Sequence, residues 1–127
     1  MSNASNYFEN GIANIFRGTT FNGITPYVAL FDGNPGEDGS GATEVTTTIR
    51  AAGRVQATFG APSNGVISNS ADVDYGNSDG SATVAGFGIY DAASSGNLLA
   101  YGTLSSTPVA TNDTVKFLTG ALTVTVA

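Results

Sequence analysis

The sequence predicts an all-β domain, a β-sandwich or jelly-roll-like fold with a short N-terminal helix. Three observations predict it. Apolar residues come in seven or eight short runs, many with period-two alternation and spaced about ten residues apart. Turn formers separate the runs, and 17 of the 127 residues are glycine. Only one stretch, close to the start, spaces its apolar residues like a helix. No linker-like change of composition divides the chain, so it reads as one unit: residues 1–18 a helical arm and 19–127 the β-sandwich domain.

In residues 6–16, Phe8, Ile12, Ile15 and Phe16 recur at i, i+4, i+7 and i+8 and so share one helix face. Asn3 or Ser5 suits the N-cap, and Gly18 suits the position just past the last turn. That apolar face either closes one end of the sandwich or docks on a neighbouring subunit, which makes these four residues the candidate interface.

Residues 24–31 form the first strand, with Pro26 at its start or on an edge because proline donates nothing to a ladder. Residues 32–41 are an exposed loop. Its Asp32, Asn34 and Asp38, with Glu37, are candidate oxygen ligands for a hard cation. Gly36 and Thr43 stand where an EF-hand loop needs oxygen ligands, so a series of solvated turns is the favoured reading and no metal is expected.

An extended segment (44–48) and a turn (49–53) lead into 54–59, where Arg54, Gln56 and Thr58 alternate with Val55, Ala57 and Phe59 as a half-buried strand with its polar face outward. Asn64 and Gly65 are the strongest hairpin signal in the chain, followed by a short return at 66–68. In 71–75, Val73 and Tyr75 oppose Asp72 and Asp74. Two carboxylates on one face could serve acid/base chemistry. Charges on the wet side of an edge strand that blocks edge-to-edge pairing is the simpler reading.

The runs 84–90 and 98–104, joined by the turn formers of 91–97, form the central hairpin. Gly86 and Gly88 leave one face of it without side-chain bulk, open to another backbone or an aromatic ring. Residues 105–113 read as a polar connection. Residues 114–118 and 121–126 read as a last strand pair around Thr119 and Gly120.

With no His and no Cys, the Ser-His-Asp and Cys-His arrangements and the imidazole or thiolate zinc sites are unavailable. No nucleophile elbow or phosphate-binding glycine loop appears. An enzyme is not expected, and no cofactor is implied. The net charge of −6, with Arg17, Arg50, Arg54 and Lys116 the only cations, disfavours nucleic acid and anionic membranes. No run approaches the roughly 18 apolar residues that span a bilayer, and no secretory signal is visible. Frequent glycine without disulfides leans towards an oligomer that buries surface between subunits.

The segments Tyr27 to Asp32 (YVALFD), Gly41 to Val45 (GATEV), Phe59 to Asn69 (FGAPSNGVISN), Phe87 to Ala92 (FGIYDA), Gly96 to Gly102 (GNLLAYG) and Gly120 to Val124 (GALTV) resemble small β-rich proteins encoded among tailed-bacteriophage structural genes, generically labelled tail fibre proteins. The resemblance covers nearly the whole chain. It implies a non-enzymatic virion component made in the host cytoplasm, with no catalytic residues to transfer. Its role would be capsid cement or decoration, or a tail appendage in a fibre or baseplate. A compact body with an adaptable arm tilts slightly towards decoration. The expected partners are the chain itself, as a homotrimer, and major capsid or tail proteins. The alternative is a glycan-binding adhesion module on the particle surface, with Tyr27, Tyr75, Tyr90 and Tyr101 as stacking groups; exposure of these rings decides it.

Overall fold

A computed structural model describes residues 2–46 and 53–125. Along the chain lie β1 (Ser2–Ala4), α1 (Asn6–Ile15), β2 (Tyr27–Phe31), β3 (Val55–Gln56), β4 (Val66–Ser68), β5 (Val73–Asn77), β6 (Ala82–Tyr90), β7 (Leu98–Val109), β8 (Thr114–Phe117) and β9 (Thr123–Thr125). The all-β expectation holds. Five strands form one antiparallel sheet in the order β1-β7-β6-β2-β3, and β4-β9 and β5-β8 form two small antiparallel pairs.

Side-chain alternation in β2 decides the layering. Val28 and Leu30 join a core with Val73 and Tyr75 of β5, Phe87 and Ile89 of β6, and Val124 of β9. This core packs the two small sheets against one face of the large one. Ala29 and Phe31 point to the opposite face, into a second cluster with Tyr90, Leu98 and Tyr101, against which Ala42 of the following loop packs. A strand covered on both faces has no polar side, hence the unbroken Tyr-Val-Ala-Leu-Phe.

The expected central hairpin is present, with β6 in the middle of the sheet between β7 and β2. Its glycine face is used in both of the expected ways. A Cβ on Gly86 would lie 2.0 Å from the Gly33 carbonyl oxygen, and one on Gly88 would lie 3.1 Å from the Phe31 ring.

Four assignments change. β1 carries no strand signal in its sequence, yet it pairs with residues 100–102 of β7, so the segment 1–18 is a strand in the sheet followed by a helix. β7 runs on through the stretch read as a connection: Ala82, Thr83 and Val84 pair with Val109, Pro108 and Thr107. Pro108 fits there because β1 stops pairing at Gly102, leaving β7 an edge. The Asn64 turn forms as expected, both residues left-handed at φ 53° and 78°. The run before it splits: its first part is β3, paired with β2, and Phe59 bridges to Asn69 across the turn, while β4 beyond the turn pairs with β9. Finally, β8 and β9 do not pair with each other. The buried Asn69 amide donates to the Ala71 and Leu118 carbonyls and accepts from the Leu122 N–H, which sends the chain past Thr119 and Gly120 into a different sheet. Residues 47–52 and 126, within the predicted segments 44–48, 49–53 and 121–126, lie outside the described residues.

Candidate functional site

Helix α1 is held at its first turn and open at its last. Ser5 continues the β1 ladder, its N–H donating to the Leu99 carbonyl at 2.8 Å. Its buried hydroxyl accepts from the Phe8 N–H at 3.2 Å as the helix N-cap and donates to the Leu98 carbonyl. Glu37, from the loop read as a cation candidate, accepts from the Asn6 N–H and from the Tyr101 hydroxyl, each at 2.8 Å. An acid at the N-terminal end of a helix is also favoured by the aligned peptide dipoles. Phe8 meets the Phe21 ring edge-to-face at 5.7 Å between centroids. Replacing Ser5 by Ala is expected to cost about 1 kcal/mol of stability, the usual loss for a removed cap, and to weaken protection of the α1 amides in hydrogen exchange.

The four candidate interface residues separate along the helix. Phe8 and Ile12 are half-buried, whereas Ile15 is 52% and Phe16 93% exposed. Gly18, at φ 83°, closes the last turn by donating to the Ile15 carbonyl, so the exposed pair is presented on ordered backbone. Beside the arm an open groove of about 440 Å³ is lined by Phe8, Ile24, Pro26, Phe59, Ile67 and Val124, among others.

The tyrosines do not gather on one open surface. Tyr75 is buried in the main core and donates to the Val28 carbonyl at 2.6 Å; burial pushes its phenol pKa up, with a smaller contribution from Glu44. Tyr90 and Tyr101 are buried in the second cluster, and Tyr27 is half-buried beside Tyr90 in the ladder. Three of the four rings therefore offer no open face for a sugar.

The oxygens of 32–41 are engaged locally. Asp32 accepts from the Thr43 N–H, Asn34 from the Gly36 N–H, and Asp38 from the Ser40 hydroxyl and N–H, which hold its carboxyl below the usual range. Among the described residues no three acidic, His or Cys side chains converge on a possible metal position. Asp72 and Asp74 stand on the exposed face of their segment. The backbone N–H and hydroxyl of Thr119 lower the Asp72 pKa, and Lys116 adds a weak pull from 4.0 Å. Asp74 accepts from the Gly76 N–H at 2.7 Å.

Arg54 departs from its expected outward orientation. Its guanidinium lies 3.6 Å above the Tyr90 ring, forms a two-pronged pair with Glu44 at 3.1 and 3.2 Å, and donates to the Ala92 and Ser95 carbonyls. It thus ties the loop after β2 to the β6–β7 turn. Alternation alone places Arg54 towards solvent; the signal against that reading is the scarcity of cations, four Lys and Arg against ten Asp and Glu, which makes any one arginine a strong candidate for pairing with acids and carbonyls.

A family model described as "Podophage GP4 fiber I protein gp80" matches residues 3–125. No curated protein matches.

Proposed function

Since the chain belongs to the podophage GP4 fiber I protein gp80 family, we propose that this structural protein of the phage virion is a subunit of a tail fibre and assembles with copies of itself, as a homotrimer, through the end of helix α1. The fibre in the family's description supports the tail over the capsid. The observation that carries self-assembly is the exposed pair Ile15 and Phe16 on a helix anchored at its other end. Side chains of this size contribute roughly 1.5–3 kcal/mol each when fully buried, which favours a partner surface over solvent. Other tail proteins would take the remaining contacts of the fibre.

Light scattering on the purified protein and on an Ile15→Asp/Phe16→Asp variant tests this. Trimers are expected from the parent and monomers from the variant, with the same circular dichroism, because neither side chain contributes to the core. A parent monomer, or a variant that remains trimeric, would overturn assembly through this helix end and leave family membership untouched.

A further inference from the structure

We propose that Asn22 is a site of spontaneous conversion to aspartate and isoaspartate, and that the fold selects it from three Asn-Gly pairs. The reaction needs only water. The Gly23 amide nitrogen attacks Cγ of Asn22; the new N–Cγ bond forms as the Cγ–Nδ2 bond breaks, and ammonia leaves with the proton from the Gly23 nitrogen. Water then opens the cyclic imide at one of its two carbonyls. Opening at one restores the original backbone with an aspartate side chain; opening at the other routes the main chain through the former side-chain carbon. The absence of a Cβ on the following glycine makes the approach possible. The backbone must also rotate freely, and the glycine N–H must not be committed elsewhere.

The three pairs differ sharply on these points. Asn10 and Gly11 lie inside α1, where the glycine N–H belongs to the helical ladder and the Phe21 ring occupies the space beside it, 1.9 Å from where a Cβ would stand. Asn64 and Gly65 form a closed two-residue turn in which Ser63 and Val66 exchange two backbone hydrogen bonds of 2.9 and 3.0 Å. Asn22 and Gly23 are exposed and lie outside every helix and strand. Among the described residues no hydrogen bond holds the Gly23 N–H or the Asn22 side chain, and nothing stands within 4 Å of the position a Gly23 Cβ would take. Asn22 borders a cleft with Tyr7, Phe21 and Asp91, so conversion adds a second carboxylate beside the base of the arm.

The test is peptide mapping by mass spectrometry of the full-length protein aged in mildly alkaline, heavy-oxygen water, which labels each converted residue. Conversion at Asn22 is expected to outrun that at Asn10 and Asn64 by on the order of tenfold or more, the factor that opening a hydrogen-bonded turn or helix imposes. In concentrated urea the three rates should converge, and Asn22→Gln should silence its own site without moving the other two. Comparable rates at Asn64 or Asn10 in the folded protein would overturn the proposal. So would an Asn22 that stays intact while the urea sample converts.

Discussion

Replacing Arg54 by Ala is expected to destabilise the domain by about 3 kcal/mol, the lower end of the range for breaking a buried ion pair from one side. The guanidinium side chain is 7% exposed and its partner carboxylate 22%, so Glu44 keeps some water when its partner is lost. The substitution also strips donors from the Ala92 and Ser95 carbonyls and uncovers the Tyr90 ring, whose phenol pKa is raised by burial against the opposing pull of Arg54. Urea unfolding should show a lower midpoint at an unchanged slope. Arg54→Lys should recover little, because an ammonium cannot fork to Glu44 and lie flat on Tyr90 at once. A joint Arg54→Met/Glu44→Met change should be milder than Arg54→Ala, since it leaves no unpaired charge. A loss below about 1 kcal/mol for Arg54→Ala would mean the pair behaves as an ordinary surface ion pair.

Gly86→Ala is expected to cost about 3 kcal/mol or more, at or above the usual upper limit for an added methyl in a packed interior. The new carbon would lie 2.0 Å from the Gly33 carbonyl oxygen and 2.9 Å from its carbon, main-chain atoms of a loop that the two hydrogen bonds between Asp32 and Thr43 tie down next to Gly33. Gly88→Ala makes the contrast. Its nearest neighbours are Leu98 Cδ1 at 2.9 Å and Phe31 Cε1 at 3.1 Å, side-chain atoms that can turn aside, so a cost of about 1–2 kcal/mol is expected. Equilibrium unfolding of both variants checks the order; a larger loss for Gly88→Ala would refute this account of the glycine face.

Legibility followed the range of the forces involved. The central hairpin, the helix with its Ser5 cap, the closing Gly18 and the alternation of Val73 and Tyr75 with Asp72 and Asp74 depend on neighbours a few residues away, and each was readable from the sequence. What misled was distant pairing. The Ser-Asn-Ala of β1 becomes a strand only because β7 offers it an edge, and β8 and β9 part company because Asn69 bonds to backbone on both sides of the turn between them. At the candidate site, the apolar stripe from Phe8 to Phe16 was visible as one face. Its division into a half-held and an open part was not, because that depends on Phe21 and on Glu37, which arrive from later in the chain.

Ser5 makes the arm and the sheet parts of one lever. The hydroxyl that seats the first turn of α1 also grips the Leu98 carbonyl, and Leu98 begins β7 directly after the turn that Arg54 fastens. The base of the helix and the start of the twelve-residue β7 therefore share this one hydroxyl, and Ile15 and Phe16 stand about 15 Å further along the helix from it.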